Sequence, residues 1–309
     1  MQTKYELEKI LIEMGFNKPY KILGDGLFDD LALVDYNVDF KLCTYVNSSK
    51  YLEKLKNNTS VLITKPGMID FLDNSSYSIC LTENPEEMYF AIHNYLAKKS
   101  NKRQYYKNII HPTAKISKLS SIADSNVEIG ENVIIEEFVV IRENTKIGDN
   151  SIIRSGSIIG GEGFQFKKIN GEIELISHIG GVKIGKNVEI QQNTCIDRAI
   201  YSWDDTVIGD GTKIDNLVHV AHGVKIGENS KIVTQSCLGG RVVIGNDAWI
   251  GIGAKIRNGL TIGNNARVNM GAVVTKDVLD GESVTGNFAI DHQKFMGNLK
   301  KIIKSESEF

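Results

Sequence analysis

Aliphatic residues recur at every sixth position along much of this chain. From Ile184 the series runs through Ile190, Ile196, Ser202, Ile208, Ile214, Val220, Ile226, Ile232, Leu238, Ile244, Ile250, Ile256, Ile262, Val268 and Val274, and only Ser202 breaks it. A helix repeats its apolar face every 3.6 residues and a strand every two, so neither holds a period of six. A fixed internal period marks units that stack on their neighbours and share one core. The pattern predicts a parallel β-helix. Each six-residue unit gives a short strand and a turn, and three units close one triangular coil. Each aliphatic points inward onto its counterpart about 4.8 Å along the axis. Turn formers follow, as in Ile208-Gly209-Asp210-Gly211 and Ile226-Gly227-Glu228-Asn229, where the chain must bend at a corner.

The same period opens at Ile110, Ile116 and Ile122, slips by one, and resumes from Ile129 to Ile159. Residues 160–178 interrupt it. There, Glu162–Phe166 and Glu172–Ile176 flank Asn170-Gly171, a two-residue hairpin signal. A second excursion, Ala199 to Asp205, contains Ser202 and Trp203. Such excursions are where a solenoid is expected to build binding walls. The β-helix is placed at residues 110–285.

Residues 1–99 lack the period. Leu7, Ile10, Leu11 and Met14 share one helix face. Ser60–Thr64 and Tyr77–Thr82 read as buried strands. Asn84-Pro85-Glu86-Glu87 starts a helix expected to run to about Lys99. Together they predict a small α/β domain. Residues 100–109, polar and basic, read as a solvated linker. Residues 286–309 read as a C-terminal helix capped by Asp291, with Phe295, Leu299, Ile302 and Ile303 apolar. Lys294, Lys300, Lys301 and Lys304 make its other side basic, for plain solvation or for an acidic partner.

At 41% hydrophobic and 24% charged residues, with a net charge of −2, the chain reads as a soluble globular protein with nothing to attract nucleic acid. Its sequence shows neither a long apolar run nor a basic-then-apolar leader, so a cytoplasmic protein without a membrane segment is expected. Cys43, Cys80, Cys195 and Cys237 lack metal spacing and read as reduced core or wall residues.

The chemistry must come from a site on this scaffold. His222 follows the inward Val220 by two residues, which places it near a corner and facing out, where packing gives no reason for a histidine. Asp215, one repeat back plus one, is expected to orient it. Gly240, 18 residues on, should sit beside it on the next coil and offer its backbone N–H to an oxyanion. Base, carboxylate and donor point to acyl transfer onto an amine or hydroxyl. No metal site is expected. A trimeric metal hydrolase of the carbonic anhydrase kind would need three converging histidines, and only His219 and His222 lie close. A non-catalytic scaffold would not need the constellation.

Several motifs are similar to those of the UDP-3-O-(3-hydroxyacyl)glucosamine N-acyltransferase family of lipid A biosynthesis. They are Ile196-Asp197-Arg198, Asp204–Gly209, Ile214-Asp215-Asn216-Leu217, His219-Val220-Ala221-His222, the hairpin Gly161–Phe166, and Thr44–Tyr51 with Glu83-Asn84-Pro85. The resemblance implies a left-handed β-helix and a homotrimer with active sites between the helices. It implies His222 as base, Asp215 as its partner and Gly240 as oxyanion donor. Asn216 and His219 would bind substrate, and Tyr45, Asn47, Lys50 and Tyr51 would hold the uridine, the two tyrosines by stacking. It implies no resident cofactor, but an acyl carrier protein thioester as co-substrate and a nucleotide-linked amino sugar as acceptor. Leu260 stands where the family commonly has a second site histidine, and Asn269–Thr275 resembles short-chain sugar acetyltransferases. An alternative is therefore a coenzyme A-dependent N-acyltransferase acting on another UDP- or dTDP-amino sugar for surface glycan synthesis.

Overall fold

The computed structural model describes residues 5–72, 77–99, 103–286 and 291–306. Residues 100–102 of the expected linker, and residues 287–290 and 307–309 of the expected C-terminal segment, lie outside that description.

The period of six becomes a left-handed parallel β-helix of three sheets, with eight, eight and nine strands. Neighbouring strands are offset by one coil, as in Val220↔Leu238 and Ile214↔Ile232. The aliphatic positions of the period from Ile184 on, Ser202 apart, are at most 6% exposed. A second inward column lies two residues earlier, with Val218, Val224, Val242, Ala248 and Ala254 in the same core. Buried hydroxyls in that column bond to carbonyls: Thr194 to Asp215 O at 2.8 Å, and Ser230 to Gly245 O at 2.8 Å. This meets the requirement that buried polar groups find partners. Corner residues such as Asn132, Asn187 and Asn229 hold φ of 54–56°, a region asparagine tolerates. Leu260 is 6% exposed and lies in the β-helix core, so this side chain packs inward.

The first excursion is an antiparallel hairpin, Phe166–Ile169 with Glu172–Leu175. The second inserts one six-residue unit between Ile196 and Ile208, which is why the period stays in phase across Ser202. The N-terminal domain is a five-stranded sheet, parallel apart from the antiparallel strand Lys21–Leu23, with helices α1 (Leu7–Glu13) and α2 (Pro85–Lys99).

The two excursions were expected to build binding walls. Both also dock the N-terminal domain onto the β-helix. Ile169, Ile176, Ile200 and Tyr201 share one buried cluster with Leu7, Phe28, Met88 and Tyr89. Tyr201 stacks on Trp203 at 5.2 Å, and its hydroxyl meets that of Tyr89 at 2.8 Å. Trp203 Nε1 donates to Leu31 O at 3.0 Å. His93 on α2 bonds Ser177 O at 2.8 Å. The expected linker is also more than solvated. Arg103 donates to Ser202 O at 2.8 Å, to Asp204 O at 2.7 Å and to the Asp205 carboxylate at 2.6 Å.

Helix α3 (His292–Glu306) begins at Asp291, whose Oδ1 accepts from the N–H groups of Gln293 and Lys294, both at 3.1 Å. That is an N-cap bond. Phe295, Met296 and Leu299 on this helix are exposed.

Candidate active site

Strand pairing fixes where His222 stands. Val220 lies beside Leu238, so the corner after each strand brings His222 against Gly240. An ideal Cβ on Gly240 would fall 2.6 Å from both Cε1 and Nε2 of His222. Only glycine leaves room for the ring. Around it the N–H groups of Gly239 and Arg241 are spent on Ile256 O and His222 O, both at 2.9 Å. The N–H of Gly240 has no acceptor among the described residues.

The other edge of the imidazole faces the base of the hairpin. An ideal Cβ on Gly163 would lie 3.2 Å from His222 Cδ2 and 2.6 Å from His178 Nε2. The two histidine rings meet edge to face, 5.4 Å between centroids. Burial pulls His222 down to about 4, with His178, Arg241 and His219 acting in the same direction. The imidazole is therefore unprotonated at neutral pH.

Arg241 closes the side toward the N-terminal domain. It grips Asp35 with two 2.8 Å contacts and lies over the Tyr36 ring. Its own backbone sits at φ 61°, a region uncommon for a bulky residue.

His219 projects from the outer face of the same sheet, between Cys195 and Cys237 on the adjacent coils. Its Nε2 lies 3.6 Å from Asp197 Oδ2. Asp197 is 6% exposed. Burial, then the charge of Glu162, pushes it up to about 7. Burial lowers His219. Glu162 in turn pairs with Arg198 at 2.9 Å and faces His178 Nδ1 at 3.4 Å.

Asp215 is not brought to His222. It follows the strand Lys213–Ile214 in a different sheet, at another corner of the triangle. One of its oxygens accepts from the Asn216 N–H at 2.7 Å and amide at 2.9 Å, and the other accepts from Thr234 N at 3.1 Å. The spacing of seven residues suggested proximity, but it spans a corner. Asn216 stays in the same turn and also accepts from Gln192 N at 3.0 Å. The polar neighbours that do cluster near His222 include Glu162 and His178, which flank the two hairpin strands Phe166–Ile169 and Glu172–Leu175, so the interruption of the period was their one legible signal; Asp197 had none.

In the N-terminal domain, Tyr45 and Tyr51 differ. Tyr45 is mostly buried against Tyr89 and Phe90, and its hydroxyl donates to Glu86 at 3.0 Å. Tyr51 is exposed, with Lys50 Nζ 4.8 Å from its ring centre. Asn47 and Lys50 are exposed beside it. Among the described residues no group of three or more His, Cys, Asp or Glu is placed to hold a metal ion. No described helix is long and apolar enough to cross a membrane.

Comparison with known proteins agrees with the repeat. The bacterial transferase hexapeptide (six repeats) family matches residues 126–161, 205–240 and 241–276. A UDP-3-O-acylglucosamine N-acyltransferase of an Acidovorax strain is 44% identical over 134 residues, 43% of this chain and 40% of that protein. One from Pseudomonas putida is 54% identical over 65 residues, 21% of this chain and 18% of that protein. The chain thus spans well under half the length of these curated relatives. Among solved structures, the Francisella novicida UDP-N-acetylglucosamine acyltransferase aligns with a TM-score of 0.49 at 27% identity, over 58% of this chain and 65% of that one. The chain is a β-helix with a six-residue period, similar over part of its length to bacterial transferase hexapeptide proteins and to the UDP-3-O-acylglucosamine N-acyltransferases.

Proposed function

We propose that this protein is an N-acyltransferase of the lipid A type, acting on the amine of a nucleotide-linked glucosamine. The contact of His222 with Gly240, whose N–H is unspent, carries the reading. His222 takes a proton from the acceptor amine as its nitrogen attacks the thioester carbonyl. The carbonyl oxygen becomes an oxyanion held by the Gly240 N–H. The C–S bond then breaks, and the proton passes from His222 to the leaving thiolate. The names of the relatives support the amino-sugar acceptor. The acyl group, a 3-hydroxyacyl chain, would come from an acyl carrier protein, with no resident cofactor. The exposed α3, with Phe295 beside Lys294, suits an acidic protein donor. Tyr51, Asn47 and Lys50 form the exposed part of the uridine site in this reading, and the working unit is a cytoplasmic homotrimer.

A mass-spectrometric donor–acceptor screen tests it. UDP-3-acyl-glucosamine and UDP- or dTDP-linked amino-deoxyhexoses are each paired with acetyl coenzyme A, 3-hydroxybutyryl coenzyme A and a long 3-hydroxyacyl carrier protein. Product from the acyl-glucosamine and the carrier protein supports the proposal. Product only from a deoxy amino sugar and a coenzyme A thioester moves the chain to glycan decoration. Full turnover by His222→Ala refutes the mechanism in either case.

A further inference from the structure

We infer that His178, backed by Glu162, is a positioning residue for His222: it locks the base in place over Gly240. This rests on the reading of His222 as the base.

His178 is a buried imidazole without a packing explanation. Its side chain is fully buried, its Nε2 has no hydrogen-bond partner among the described residues, and its Nδ1 faces the Glu162 carboxylate at 3.4 Å. Such a group costs free energy unless its position serves something else. It stands at the return of the hairpin, just after Leu175, which ties to α2 through the Asn94 amide at 3.1 Å. The Ser177 N–H also donates to Asn94 Oδ1 at 2.9 Å. The His178 ring is therefore placed by the docking of two domains. It meets His222 edge to face, with Gly163 at the junction. Any side chain at Gly163 would drive the two rings apart.

The polar surroundings of His222 are asymmetric. The hairpin side supplies His178 and Glu162, with Arg198 behind them. The strand side supplies His219 and Asp197. The domain side supplies Arg241 with Asp35 and Tyr36, and Asp204 lies beyond Gly223. Of these, His178 makes the ring contact with His222. Glu162 stands behind it, 3.4 Å from the ring's Nδ1.

The test is a histidine ¹⁵N NMR titration of the full chain, with the His222 resonances assigned by their loss in His222→Asn. His178→Phe keeps a ring and removes the nitrogens. His178→Asn keeps a donor toward Glu162 and removes the ring. In both variants the His222 midpoint should rise, by about half a pH unit or more. A midpoint that stays put or falls in the variant that folds overturns the inference. Turnover adds a second readout: His178→Asn should lose about tenfold in kcat with KM unchanged. If His222→Ala is inactive while His178→Asn keeps wild-type kcat, the positioning role is wrong and the base assignment stands. If His222→Ala is active, the base assignment is wrong, and the NMR midpoint still reports on the pair.

Discussion

His222 and Gly240 occupy equivalent corners of successive coils, and the ring of one fills the space that a side chain on the other would need. Gly240 does not have a positive φ, so alanine is sterically allowed by the backbone and forbidden only by the imidazole. Gly240→Ala should therefore fold with little change in Tm. In the proposed mechanism it should lose ~100-fold in kcat, because the added methyl displaces His222 and crowds the Gly240 N–H, and it should leave KM for the sugar nearly unchanged. Steady-state kinetics beside a melting curve checks this. A large loss of stability with normal kcat would show the contact to be mere packing.

Two buried groups should make stability depend on pH in opposite senses. The folded-state value of His222, about 4, lies below the usual ~6.5 for histidine. Between those values the unfolded chain binds a proton that the native state refuses, so this group lowers stability as pH falls through that window. Asp197, at about 7, lies above the usual ~3.9 for a carboxyl. There the native state holds the extra proton, so stability rises as pH falls from about 7 toward 4. The two partly cancel in the natural protein, with His219 adding to the histidine side. His222→Gln should shift the slope of stability against pH toward greater stability in acid, and Asp197→Asn should shift it toward greater stability in base. Urea midpoints at pH 4.5, 6 and 7.5 decide it. Parallel profiles for both variants would rule the assignment out.

The β-helix was legible because one residue class at one spacing determines the whole inward column, and the register of eighteen residues per coil then places Gly240 beside His222. The same arithmetic failed for Asp215. A shift of seven residues crosses a corner, and a linear count does not say which side of the triangle a side chain leaves from. The hairpin at Asn170-Gly171 was legible from its turn residues. What it does was not, since the docking of Ile169 and Ile176 against α2 is a long-range contact without local signature. Likewise Arg103 reads as one charge in a polar run, and its three bonds to the second excursion exist only once the chain has returned a hundred residues later.

Trp203 should behave as the clasp between the two domains. It stacks on Tyr201, meets Tyr36 and Phe40 edge-on at 5.1 and 5.5 Å, and donates to Leu31 O. Replacing it with alanine removes a large aromatic and leaves the Leu31 carbonyl unpaired, a loss of about 3–5 kcal/mol for a well-packed site. The β-helix core shares none of these contacts. Trp203→Ala should therefore split a single melting transition into two, with the N-terminal domain becoming protease-sensitive first. A uniform fall of one cooperative transition would place the clasp elsewhere.

Tyr45 and Tyr51 keep the six-residue spacing expected of a pair that sandwiches a base, yet their surroundings assign them different work. Tyr45 is packed against Tyr89 and Phe90 and bonded to Glu86, with its phenol pushed up by burial first and then by that carboxylate. Tyr45→Ala should cost stability of about 2–4 kcal/mol through the cavity it leaves and disturb nucleotide binding only through that loss. Tyr51 is exposed, and its ring already accepts a cation from Lys50 at 4.8 Å and Lys54 at 5.8 Å. Base stacking on an aromatic contributes about 1–3 kcal/mol, so Tyr51→Ala should weaken UDP binding roughly tenfold or more, with Tm unchanged. Calorimetric titration with UDP and with dTDP on both variants separates the roles. Equal losses of affinity with intact folding would restore the two-sided sandwich, and unchanged affinity in Tyr51→Ala would move the nucleotide site off this loop.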